Sequence, residues 1–69
     1  MTLDKAVKRD IQAGKMIAKH AATGSSRYLD LAEWKLRQAR DLYEAAGCAD
    51  SAGDCAKALQ DLALNKASH

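Results

Sequence analysis

Two thiols, two imidazoles and a row of lysines are the side chains of this 69-residue chain that could carry out chemistry or hold a charged ligand. Cys48 and Cys55 stand seven residues apart. Their sulfurs meet only if the chain between them folds back, because bridged Cα atoms lie within about 7 Å of each other. With no secretion signal ahead of them, both are expected as reduced thiols, Cys55 as a small buried hydrophobe. A zinc site needs two further ligands, and His20 and the terminal His69 fall at spacings that match no structural zinc pattern. No metal and no other cofactor is expected. The chain has no glycine-rich phosphate loop, no serine or cysteine with a recognisable base and orienting acid, and no evident cleft with paired carboxylates. His20 sits near the end of the first helix, where a cation is favourable, and is read in that role rather than as a base. These absences argue against an enzyme.

Lys5, Lys8, Lys15 and Lys19 fall on one face of a helix, with Arg9 at its edge and Gln12 in its middle. Such a stripe can follow phosphates or an acidic protein surface, and it can equally serve as a solubilising face. Residues 1–22 carry five basic and two acidic side chains, residues 25–46 four of each, and residues 48–69 two basic and three acidic. The net charge of +2 is too slight to imply a nucleic acid by itself, so the positive excess at the N-terminal end is what matters. Three helices with a glycine-containing turn before the last one invite comparison with a helix-turn-helix. The comparison fails on charge: the third helix offers Lys57 and Lys66 against Asp50, Asp54 and Asp61, the reverse of what phosphate neutralisation needs. A nucleic acid, if bound, would use the lysines of the first helix.

The elements that position these groups are helices. There is no proline, few residues are β-branched, and alanine, leucine and long charged residues abound. The expected fold is all-α: a single domain over residues 1–69, a small three-helix up-down-up bundle that assembles as a dimer. Sixty-nine residues rich in alanine and lacking phenylalanine bury little surface, and a second chain is a usual supplement. No apolar run approaches the roughly 18 residues that span a bilayer, and a cytoplasmic location without membrane contact is expected.

Helix 1 is predicted from about 3 to 22, capped by Thr2 and ended by Gly24. Leu3, Ala6, Val7, Ala13, Gly14, Ile17, Ala18 and Ala21 share one arc, closed at its edge by Ile11, and this arc is predicted to face the core. Asp10 falls inside it and is predicted to pair with Lys35. Helix 2 is predicted from about 26 to 46, capped by Ser25 or Ser26, with Tyr28, Leu29, Ala32, Leu36, Ala39, Tyr43 and Ala46 inward. Helix 3 is predicted from about 51 to 65, capped by Asp50 or Ser51, with Ala52, Cys55, Leu59, Leu62 and Ala63 inward and Leu64 stranded outside. Residues 66–69 are expected to fray.

Helix 2 carries a second apolar flank, away from its core face. Trp34, Leu31 and Leu42 lie there, rimmed by Arg27, Gln38 and Asp41. A tryptophan and an arginine among a few apolar neighbours are the usual makings of an interface hot spot. The sequence thus points to a small non-enzymatic protein-binding module, an adaptor or inhibitor that covers a functional surface of a larger protein, of the kind phages and mobile elements encode. Its partner is another protein, a second copy of itself, or both. The competing reading is a small nucleic-acid-binding regulator using Lys5, Lys8, Lys15 and Lys19.

Overall fold

The computed structural model describes residues 2–67 and the side chains of residues 3–66. They form three helices, α1 (Thr2–Thr23), α2 (Ser26–Ala45) and α3 (Ala49–Ala67), with no strand among the described residues. Glycine ends the first two helices because Gly24 and Gly47 have φ of 74° and 77°, a left-handed conformation in which a Cβ is strained. At Gly24 the amide donates to the His20 carbonyl at 2.7 Å, a single bond that closes α1. At the end of α2 the Gly47 amide donates to Glu44 and the Cys48 amide to Tyr43, at 3.0 and 2.8 Å, which is the paired pattern of a Schellman motif.

That compact link brings α3 in earlier than the turn residues suggest. Only Ala46, Gly47 and Cys48 separate the helices, so Asp50 and Ser51, expected as caps, already belong to the first turn of α3. Ser25 does precede α2 with extended backbone, but its side chain makes no capping hydrogen bond. Thr2, expected to cap α1, is itself helical. Of the tail expected to fray, Ser68 and His69 lie outside the described residues, whereas Lys66 and Ala67 continue α3.

α2 is the middle helix. It packs on both α1 and α3, which meet each other only marginally, and the three lie in a flat body of 35 × 18 × 13 Å. The buried residues are Ala6 and Ala13 of α1, Leu29, Ala32, Leu36, Ala39 and Tyr43 of α2, and Ala52, Cys55 and Leu62 of α3. Met16, Leu42, Cys48, Ala58 and Leu59 pack around them. The inner face of α2 is the expected one apart from its ends, where Tyr28 is half-buried and Ala46 exposed. In α3 Leu59 is half-buried against the core and Ala63 is exposed, and Leu64 is exposed as expected.

α1 is the correction. Its arc does not face the core: Leu3, Val7 and Ile17 are 39% to 44% exposed, Ile11 is 56% exposed, and Gly14, Ala18 and Ala21 are exposed too. Only Ala6 and Ala13 turn inward, so the helix is rotated by roughly a third of a turn from the expected orientation. The cause is helix spacing. Ala6, Ala13, Ala32 and Ala39 are all fully buried, and side chains this small let two helix backbones approach closely. Leucine or isoleucine at that seam would hold them apart. Half-buried Arg9, Gln12, Met16 and His20 then close the other edge of the contact.

The rotation also dissolves the expected Asp10–Lys35 pair. Asp10 is exposed and instead accepts a long hydrogen bond, 3.5 Å, from the hydroxyl of buried Tyr43. Lys35 is half-buried and in no salt bridge among the described residues. Burial, with the Asp10 carboxylate beside it, raises the Tyr43 hydroxyl above its ordinary pKa. Cys55 is likewise raised by burial and by Asp10. Cys48 and Cys55 are both free thiols.

Candidate protein-binding surface

The core of α2 fixes what lies opposite it. With Leu29, Leu36 and Tyr43 turned inward, the 3.6-residue period carries Trp34 to the far side of the helix, where it is 60% exposed. Leu31 and Arg27 lie along the same outer face and are exposed, as is Asp41. The Asp41 carboxylate is held by its neighbour Arg40 at 3.2 Å. Leu42 departs from the expected patch: it is half-buried and packs on the core, because its position is close enough to the α1 seam to be covered. Gln38 is half-buried as well, and its Oε1 is enclosed without a hydrogen-bond partner among the described residues.

Lys5, Lys8, Lys15 and Lys19 are all exposed on α1, and none is in a salt bridge among the described residues. The structure brings part of this stripe against the outer face of α2. Lys5 and Arg9 line a shallow groove together with Gln38, Asp41 and Leu42. Near the other end, the Lys19 ammonium stands 5.8 Å from the centre of the Tyr28 ring, and Tyr28 lines a second depression with Thr23, Ser25, Arg27 and Leu31. Lys8 and Lys15 line neither hollow. Lys5 and Lys19, near the two ends of the basic stripe, therefore border residues of α2 along the α1–α2 seam, while Trp34 itself lines neither hollow.

A cluster that the sequence reading missed ties the end of α3 to the start of α2. Lys66 pairs with Asp30 at 2.6 Å and also with Glu33, which in turn holds Arg37 at 2.6 Å. Hydrogen bonding to Lys66 lowers the Glu33 carboxyl, and the bonds to Asp30 and Glu33 raise Lys66. The only signal available was the helix-compatible run through Asn65, which gives no reason to stop before Lys66. His20, Gly24, Ser26, Leu29, Asp30 and Lys66 line a cleft at this end of the molecule. The His20 Nδ1 is 2.9 Å from the Ser25 carbonyl and, with its proton there, donates to it. Among the described residues no three metal-ligating side chains come together, and no helix is long and apolar enough to cross a membrane.

No protein-family model matches the sequence, and no curated protein or solved structure is similar to it. The exposed side chains themselves then carry the functional reading, and they divide into an aromatic and basic surface on one side of the α1–α2 pair and an aliphatic face on α1.

Proposed function

We propose that this chain is a cytoplasmic, non-enzymatic protein-binding module, a three-helix up-down-up bundle that acts as a dimer and covers a functional surface of a larger protein. The observation that carries this reading is the exposure of Trp34 opposite the core of α2. A large aromatic ring held on a rigid helix loses little conformational freedom on binding and buries much area, which is why tryptophan is enriched at interface hot spots. Leu31 and Arg27 extend the contact along the helix, and Gln38 and Asp41 supply polar rim groups. The neighbouring Lys5 and Arg9 give the surface a basic flank, so the partner's patch is apolar at its centre and acidic at its edge. Leu42 acts from beneath, by supporting Gln38 and Asp41, rather than by direct contact.

A second reading has its own observation: Lys5, Lys8, Lys15 and Lys19 are solvent-exposed and outside the salt bridges that engage Asp30, Glu33 and Asp41. Four lysines along one helix can follow a nucleic-acid backbone. The two readings separate by salt and by mutant. Binding through phosphates falls steeply with salt concentration, whereas binding centred on Trp34 survives salt and is lost in Trp34→Ala. The test is capture of partners on immobilised wild type, Trp34→Ala and Lys5→Glu/Arg9→Glu, with the captured protein's activity measured as the module is added back. A partner bound equally by wild type and Trp34→Ala refutes the preferred surface.

A further inference from the structure

We infer that the groove along the outer side of the α1–α2 seam takes an acidic amphipathic helix of a partner protein. The inference rests on the reading of this chain as a protein-binding module and adds the chemistry of what it binds. Lys5 and Arg9 share a hollow with Leu42 and Gln38, and Lys19 stands 5.8 Å from the centre of the Tyr28 ring. From Arg9 to Lys19 is ten residues, and so is Gln38 back to Tyr28. One register therefore covers the whole seam, and it sets Gln12 across from Lys35 and Met16 across from Leu31. On each helix these residues recur at alternating steps of four and three, which makes each wall a single stripe. Between the ends of the seam, Arg9, Gln12 and Met16 on one wall and Lys35 and Gln38 on the other are half-buried, as side chains beside an open groove are.

The groove is unbalanced in charge. Lys5, Arg9, Lys19 and Lys35 stand in its walls, none in a salt bridge among the described residues, and neither stripe contains a carboxylate. Asp41 reaches only the rim of the first hollow, where Arg40 holds it. The opposite flank of α2 is the contrast: its carboxylates Asp30 and Glu33 are paired with Lys66 of α3. Cations gathered along one seam repel one another, and carboxylates from another chain relieve that repulsion. Among the cations lie Met16, Leu31 and Leu42, which offer nothing to a phosphate backbone but are covered by the apolar stripe of a helix laid in the groove. Steps of three and four on both walls are also the spacing into which the ridges of a third helix pack. From Lys5 to Lys19 the seam is roughly 21 Å long, about four helical turns. The enclosed Gln38 Oε1, without a hydrogen-bond partner among the described residues, gives independent support. An acceptor buried unpaired is costly, and the same amide turned into the groove meets the polar edge of an occupant.

The probes are two synthetic peptides of about 16 residues, long enough for those turns. Both carry leucine along one helical stripe, flanked by glutamate in the first and by lysine in the second. Binding of the labelled peptides to the full chain is read by fluorescence anisotropy, with folding followed by circular dichroism. Wild type is expected to bind the glutamate peptide at least about tenfold more tightly than the lysine peptide. Arg9→Glu/Lys35→Glu, in the walls, reverses that preference. Lys5→Glu/Lys19→Glu, at exposed positions, weakens the glutamate peptide at least about tenfold. Lys8→Glu/Lys15→Glu makes the same change of charge outside both hollows and weakens it less than about threefold. No binding of the glutamate peptide at about 1 mM, no preference between the peptides, or equal weakening by the two lysine pairs overturns the inference. So does a DNA duplex that binds wild type more tightly than the glutamate peptide and displaces it, which would give these cations to nucleic acid. The Trp34 surface fails separately: a captured partner indifferent to Trp34→Ala removes it, whereas loss of the peptide preference leaves it standing.

Discussion

Ala13 and Gly14 are adjacent, and the orientation of α1 requires them to respond in opposite ways to added side-chain volume. Ala13 is fully buried against the middle helix, among alanines that set a close helix spacing. Ala13→Leu adds three carbons where there is no room, and overpacking of this kind costs about 1–3 kcal/mol. Gly14 is exposed, and a Cβ there meets nothing within 4 Å. Gly14→Ala therefore gains about 0.5–1 kcal/mol from helix propensity and the less flexible unfolded chain. For a domain of this size 1 kcal/mol moves Tm by roughly 4–8 °C. Ala13→Leu should lower Tm by roughly 5–20 °C and Gly14→Ala should raise it by roughly 2–8 °C, from the same scaling. Melting followed at 222 nm, in protein dilute enough to be monomeric, measures both. In the orientation suggested by hydrophobic periodicity the order reverses: Gly14 lies at the centre of the inward arc and Ala13 at its edge. A destabilised Gly14→Ala beside a tolerated Ala13→Leu would refute the packing described here.

Trp34→Ala should change stability by no more than about 0.5 kcal/mol, as for an exposed residue away from structural contacts, while abolishing capture of the partner; calorimetry and pull-down on one preparation check both. Raising pH should destabilise the fold above about pH 9. Cys55 and Tyr43 are held neutral by burial and Lys66 is held charged by its carboxylates, so all three have raised pKa values; their stabilising share is complete below the ordinary values of 9.0, 10.0 and 10.5 and is lost as pH climbs through the folded ones. Cys55→Ala should shift the onset of that loss to higher pH in urea titrations at stepped pH. Glu33 has the opposite sign: its carboxyl is lowered from 4.5, so its share is present above that value and disappears as pH falls through the folded pKa. Lys66→Met should weaken this acid dependence, the remainder being held by Arg37, and cost at most about 1 kcal/mol, less in high salt, because the cluster is partly solvated.

The sequence was most legible where bulk and periodicity agree. In α2 the inward residues include Leu29, Leu36 and Tyr43, large enough that no other face could be buried, and the exposure of Trp34 follows from theirs. Gly24 and Gly47 marked both helix ends because only a positive φ closes those caps. α1 misled because its largest apolar residues are not the ones that pack. Periodicity weights Leu3, Val7, Ile11 and Ile17 by transfer energy, but the contact with α2 is decided by how near two backbones can come, and alanine wins that contest. The expected Asp10–Lys35 pair fell with the same rotation, since it assumed the wrong face of α1 toward α2. Lys66 was missed for a different reason: its partners, Asp30 and Glu33, lie more than thirty residues away, and no local signal announces a long-range ion pair.

The rotation of α1 changes how its two kinds of surface relate. Had the aliphatic arc been buried, the lysines would have pointed straight away from the molecule, a solvated stripe with no neighbour on α2. Turned as it is, α1 brings Lys5 and Arg9 to the border of Gln38 and Asp41, so charge that seemed to argue for a nucleic acid becomes a flank of the tryptophan surface. The same turn brings the aliphatic residues out on the opposite flank of α1. The thin alanine core and the outward aliphatic residues of α1 are thus consequences of one choice: small residues between the helices, large ones left outside.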